Sequence, residues 1–200
     1  MASYTQVQLE QVSDRVKLPF TFDYQKMLQE IEKMNLKPFV YYDVVPLRSP
    51  AHEVDRSIPF PPPAEDYADG SWCDWMDTQA LIQSEYLNEI VDFFKDKTKV
   101  TLVRLLRLEA GSVVKEHTDP TLGIQIHKSV IRLTIPILVN DQVTFYLNQT
   151  PVEMGLGECW YLRLTDPHSI VNAGSTQRIN MSIDMIPNEW VTEQILNAQG

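Results

Sequence analysis

The residues best suited to chemistry are four histidines, His52, His117, His127 and His168, in a chain carrying 27 acidic and 17 basic side chains. His117-Thr118-Asp119 sets an imidazole and a carboxylate two positions apart. On an extended backbone both side chains project to one face, as a shared metal ion would require. Alone, such a triplet is common in so acidic a chain. His168 opens another apolar run 51 residues downstream and could supply a third ligand. Two imidazoles and one carboxylate on one face of an octahedral ion hold non-haem iron(II) while leaving positions open for substrate and oxygen.

Ten residues further on, Arg178 begins a run of strict alternation. Arg178, Asn180, Ser182 and Asp184 fall on one side, and Ile179, Met181, Ile183 and Met185 on the other. A guanidinium on the polar face of such a strand needs a carboxylate, which its planar fork suits bidentately. Asp184, Glu158 or the carboxylate of a ligand would each serve.

The elements that must position these groups come in two blocks. Tyr24, Met27, Leu28, Ile31 and Met34 recur at three and four within Thr21–Asn35, which predicts an amphipathic helix ending before Pro38. A second helix is predicted over Thr78–Lys97, on Leu81, Ile82, Tyr86, Ile90, Phe93 and Phe94. Between them, Ser57–Trp75 is rich in proline and acid and reads as an extended loop, equally a binding segment or a passive connector. Its Trp72 and Trp75 are read as packing rather than as anchors of a lid. After Lys99 come the short strand-like runs Thr101–Leu108, Ser112–His117, Val130–Val139, Gln142–Leu147, Glu158–Leu164, His168–Val171 and Arg178–Ile186, separated by turn signals. Helices followed by short strands suggest a β sandwich or barrel buttressed by helices.

Composition excludes several functions. A net charge of −10 argues against a phosphate backbone or an anionic membrane as partner, so neither nucleic acid nor membrane binding is expected. No apolar run approaches the ~18 residues of a span. Met1-Ala-Ser-Tyr-Thr-Gln lacks the features of a secretory signal. Cys73 and Cys159 are too few for a multi-bridge framework or a four-thiolate zinc site. These readings predict one domain over 1–200, in a reducing, cytoplasmic setting, with a helix-and-loop part at 1–98, a β core at 99–187 and a tail at 188–200. Oligomeric state is left open. His127, beside Lys128, is expected to be solvated, His52 is assigned no role, and Cys159 reads as a small buried apolar residue.

The run Arg107-Leu108-Glu109-Ala110-Gly111-Ser112-Val113-Val114-Lys115-Glu116-His117-Thr118-Asp119-Pro120 resembles the approach to the iron in the aspartyl/asparaginyl β-hydroxylase family. That family includes stand-alone amino-acid hydroxylases similar to proline 3-hydroxylase. Arg132-Leu133-Thr134-Ile135-Pro136, Gly157-Glu158-Cys159-Trp160, Asp166-Pro167-His168-Ser169-Ile170-Val171-Asn172, Arg178 and Asp184 continue the resemblance in order. It implies a mainly β fold, a double-stranded β-helix (jelly roll, cupin-like) with N-terminal buttressing helices. It also implies iron(II), 2-oxoglutarate as cosubstrate, and O2. Carried over, His117, Asp119 and His168 would hold iron, and Arg178 would clamp the distal carboxylate of 2-oxoglutarate. Arg132 and Arg107 would contact the other end of that cosubstrate or a substrate carboxylate. Thr134 stands where some members carry a histidine. Asp119 favours hydroxylation over halogenation, since a halogenase leaves that coordination position to chloride.

The expected activity is hydroxylation of an amino acid, free or within a small peptide, with release of succinate and CO2. The alternatives are hydroxylation of a protein side chain and a non-catalytic barrel binding a metal or small acid. A zinc hydrolase is disfavoured for want of a general base. Specificity is expected from Ser57–Trp75, the turn Thr121–Ser129 and the N-terminal helices.

Overall fold

The computed structural model describes residues 6–65 and 67–199. Strands β1 (Arg15–Thr21), β2 (Tyr42–Pro50), β3 (Trp75–Asp77), β4 (Val100–Leu108), β6 (Ile131–Leu138), β9 (Glu158–Leu162) and β11 (Arg178–Met185) form an antiparallel sheet in the order β1-β9-β6-β11-β4-β2-β3. A smaller antiparallel sheet, ordered β5-β10-β7-β8, contains β5 (Val113–His117), β7 (Val143–Leu147), β8 (Thr150–Val152) and β10 (His168–Asn172). The two sheets face each other as a double-stranded β-helix, and their inner faces enclose the polar residues of the site.

Alternation on three central strands explains this arrangement. Leu133 and Ile135 of β6, Val103 and Leu105 of β4, and Met181 and Ile183 of β11 point outward into the main core. Their neighbours Arg132, Thr134, Leu106, Arg178 and Asn180 point inward and line a cavity. Both faces of β11 are buried along its whole length, because helices cover one and the small sheet the other. The covering helices are α2 (Tyr24–Lys33), α5 (Glu85–Lys95) and α6 (Glu189–Ala198), which contribute Met27, Ile31, Leu87, Phe94, Val191 and Ile195 to the same core. Asp23 caps α2 by accepting hydrogen bonds from the Gln25 and Lys26 amides at 3.0 and 3.1 Å. A second cluster, with Leu122, Phe145, Leu147 and Leu162, fills the space between the sheets.

The structure corrects three expectations. The 1–98 part is not only helix and loop, for it supplies β1, β2 and β3 to the large sheet. Proline disguised two of these strands. Pro19 lies in β1, at the edge of the sheet, and Pro46 adjoins a register shift in β2 where β3 no longer covers it. The predicted helix at Thr78–Lys97 is two helices, α4 (Gln79–Ile82) and α5. They part at Ser84, whose hydroxyl donates to the Ala80 carbonyl at 2.7 Å while its backbone turns extended. The expected tail at 188–200 contains α6, capped by the Asn188 side chain on the Val191 amide at 3.1 Å. The remaining helices are α1 (Gln6–Glu10) and α3 (Ala51–Val54). Among the described residues no helix is long and apolar enough to cross a membrane.

Candidate functional site

Strands β5 and β10 pair antiparallel with His117 directly opposite His168, so the small sheet's register itself brings the two imidazoles together. Their ring centroids are 4.2 Å apart. Asp119 follows β5, its amide donating to the Leu164 carbonyl at 2.8 Å, and this turn points its carboxylate back towards the rings. One ligand atom from each of His117, Asp119 and His168 lies within 4.8 Å of the others, with Asp119 Oδ2 at 3.9 Å from His168 Nε2.

Both imidazoles are held in the same way. His117 Nδ1 bonds the Lys115 carbonyl at 2.8 Å, and His168 Nδ1 bonds the Asp166 carbonyl at 2.9 Å. A carbonyl only accepts, so Nδ1 carries the proton in each ring and the neutral form keeps its lone pair at Nε2. Burial pulls the His168 pKa below the usual histidine value, which favours that neutral form. The Phe145 ring lies nearly parallel to His168 at 6.0 Å, backing the imidazole with an apolar surface. Two oriented Nε2 atoms and a carboxylate suit a divalent transition metal, and fit the octahedral requirement of iron(II).

Arg178 lines the same small cavity, of about 80 Å³, together with His117, Asp119, His168, Tyr42 and Asn180. Its guanidinium is buried, and Nη1 donates to Asn180 Oδ1. Neither Asp184 nor Glu158 pairs with it: Asp184 is taken by Arg132, and Glu158 by Lys17. Burial without an acid pulls the Arg178 pKa down to about 10, so it stays charged at neutral pH. A buried cation without an anion is costly, and a carboxylate entering the cavity would relieve that cost.

Arg132 also faces this cavity but is already paired. Its Nε and Nη2 hold Asp184 at 2.7 and 2.8 Å, and its Nη1 reaches Asp119 Oδ2 at 3.4 Å. It thereby steers the Asp119 carboxylate rather than standing free for a ligand.

Arg107 does not join the site. It points outward from β4, where it pairs with Asp43 at 2.7 Å, donates to the Lys37 carbonyl at 3.2 Å and stacks on Phe39 at 4.2 Å. The expectation of a cofactor contact at Arg107 is therefore corrected. Alternation turns it away, and Arg104, three residues earlier, faces inward in its place.

Arg104 was missed in the sequence. It lies 3.8 Å from Asp184, which Arg132 already holds, and its buried Nε has no hydrogen-bond partner. Burial first, then the neighbouring Arg132 charge, lower its pKa. Two guanidiniums on one carboxylate leave positive charge beside the cavity. Tyr42 is a second omission: it comes from β2, and burial raises its phenol pKa.

Trp72 and Trp75 are half-buried and packed edge to face against each other, and with Tyr67 they also border a recess of about 230 Å³ that Asp119 shares. His127 is exposed, His52 packs against Phe60 and Trp72, and Cys159 is fully buried, which raises its thiol pKa.

A two-sheet β-helix with two imidazoles, a carboxylate and a buried arginine between its sheets is an arrangement that could hold a metal ion and a carboxylate. The model of the aspartyl/asparaginyl β-hydroxylase family matches residues 72–187, and the chain belongs to that family. Over 99 residues, half of this chain, it is 28% identical to L-proline cis-4-hydroxylase of Rhizobium meliloti (strain 1021). That match spans 34% of the relative's length. A crystal structure of an oxidoreductase of the 2OG-Fe(II) oxygenase family from Burkholderia pseudomallei shares the fold. Its TM-score is 0.55 at 14% identity, over 92% of this chain and 89% of that one.

Proposed function

We propose that this protein is an iron(II)- and 2-oxoglutarate-dependent dioxygenase that hydroxylates an amino acid, free or within a small peptide. The observation that carries this reading is the convergence of His117, Asp119 and His168 in one cavity with Arg178, a buried guanidinium that no acid among the described residues neutralises. The curated proline hydroxylase relative supports an amino acid as substrate.

His117 Nε2, His168 Nε2 and an Asp119 oxygen would hold the iron, with both imidazoles oriented by main-chain carbonyls. Arg178 would bind the distal carboxylate of 2-oxoglutarate as a charge-assisted pair. Arg132 aims the Asp119 carboxylate, and Asp184 holds Arg132 in place. Arg104, whose Nε is unpartnered, would offer charge to the substrate's carboxylate. Phe145 and Leu164 line the cavity beside the ligands and keep water from that side. When bound, iron(II) supplies oxidation chemistry, in which a substrate C–H, 2-oxoglutarate and O2 become the alcohol, succinate and CO2.

The test is succinate formation from 2-oxoglutarate with iron(II) and ascorbate, comparing wild type with His117→Ala and Arg178→Ala. Both variants should lose turnover. An unchanged rate in either removes that residue from the mechanism, and a wild type inactive with every amino acid tried overturns the reading.

A further inference from the structure

The recess beside the metal ligands shares Asp119 and Arg132 with their cavity, so a group seated in it lies alongside the reacting centre. Its outer wall is aromatic, with Tyr67, Trp72 and Trp75 from the long loop, and Leu122 and Val130 continue the apolar lining. This wall is built rather than draped. Trp75 Nε1 donates to the Gly70 carbonyl at 2.8 Å, and the Ala51 amide ties the loop's end to the Asp74 carbonyl at 2.7 Å. Trp72 meets Tyr67 edge-on at 5.3 Å and Trp75 at 6.2 Å. Gly70 adopts a left-handed φ of +67°, and a Cβ there would sit 2.9 Å from Thr101 Cγ2, so the loop hugs the barrel only because this position is glycine.

Charge and size decide what fits. The charged groups that line it, Asp119, Arg132 and Asp184, are engaged with one another, so a charged side chain entering the recess would lose its water and have to displace an existing partner to gain a counter-ion. An apolar side chain meets no such penalty. At about 230 Å³, the recess is smaller than the ~300–1,000 Å³ typical of pockets for drug-sized ligands, and it suits one side chain rather than a strand of polypeptide.

We propose that this recess is the subsite for the substrate's side chain, and that the substrate is an α-amino acid bearing a bulky apolar side chain, aliphatic or aromatic. The proposal rests on the oxygenase reading and adds the substrate class and the residues that select it. Tyr67, Trp72 and Trp75 are the specificity determinants.

The experiment separates binding from turnover. The iron(II)- and 2-oxoglutarate-loaded protein is titrated calorimetrically without oxygen against L-phenylalanine, L-leucine, L-alanine, L-lysine and L-aspartate. At least one of L-phenylalanine and L-leucine should bind at least tenfold more tightly than L-lysine and L-aspartate. Trp72→Ala should weaken the large apolar ligands at least fivefold and L-alanine less than twofold, with Trp72→Phe restoring most of the loss. Tyr67→Ala, at a half-exposed position, provides the same comparison should Trp72→Ala fail to fold. Equal or tighter binding of L-lysine or L-aspartate, a uniform loss across ligands, or no binding of any of them overturns the subsite. Succinate is then measured in air. Turnover with no side-chain preference would sink the subsite and keep the oxygenase reading. Selective apolar binding without succinate would support the subsite and overturn the reaction.

Discussion

The two faces of the large sheet's central strands carry opposite tasks on the same backbone. Outward, β4, β6 and β11 present Val103, Leu105, Leu133, Ile135, Met181 and Ile183 to the helices, with no polar atom to satisfy. Inward, the alternate positions present Arg104, Arg132, Arg178, Asn180, Ser182 and Asp184, and the barrel accommodates the charge by pairing most of it and leaving one guanidinium open. Two of the inward polar atoms, Arg104 Nε and Ser182 Oγ, are buried without a partner. The outer face supplies stability at low chemical specificity. The inner face gives up some of that stability to buried polar atoms left without a partner.

Substitutions can break that contrast. The largest effect is expected at the metal ligands: His168→Ala should reduce succinate formation by more than the ~10–100-fold that losing an outer partner of a metal ligand causes. Thermal unfolding of the same variant should confirm a retained fold. Next, Leu133→Ala on the outer face should cost about 2–5 kcal/mol in denaturant unfolding, with the KM for 2-oxoglutarate of the folded protein unchanged. Arg178→Lys keeps the charge but loses the fork. It should raise the KM for 2-oxoglutarate by about 10–100-fold, as expected for losing a charged hydrogen bond worth ~1.5–3 kcal/mol. The smallest effect on substrate handling is expected at Arg107→Leu, which should cost about 1–3 kcal/mol through its ring contact and its pair with the partly exposed Asp43 and alter that KM less than twofold. A large KM change at Arg107 would erase the distinction between the faces.

The inner face of β11 was legible because its alternation is complete, four polar residues against four apolar ones. The candidate metal ligands were legible in part, because His117 and Asp119 stand two positions apart, although Asp119 lies beyond β5 and a turn rather than strand alternation aims its carboxylate. Their meeting with His168 depends on the β5–β10 register, which no local pattern reports. Strand β4 defeated the reading for a definite reason. Val-Thr-Leu-Val-Arg-Leu-Leu-Arg-Leu is apolar on both faces, so its parity is mute. Arg104 and Arg107 lie three apart and must face opposite ways, and which one faces inward is settled by pairing with β11 and β2. Tyr42 was hidden for a similar reason, since the proline-bearing β2 did not read as a strand. The recess needed the long loop's path over Thr101, and composition does not give a path.

The imidazoles of this protein hang from peptide carbonyls at Lys115 and Asp166, not from neighbouring side chains. Any residue at 115 offers the same oxygen, so the aim of the His117 ring is indifferent to which amino acid stands there, and that position can be redesigned for surface charge or labelling. Position 166 differs, because the Asp166 carboxylate also accepts from Arg163 at 2.8 Å and Asn148 at 2.7 Å and so fixes the turn that presents its carbonyl to His168. A change that bends the main chain at either position, such as proline, would swing its ring off target.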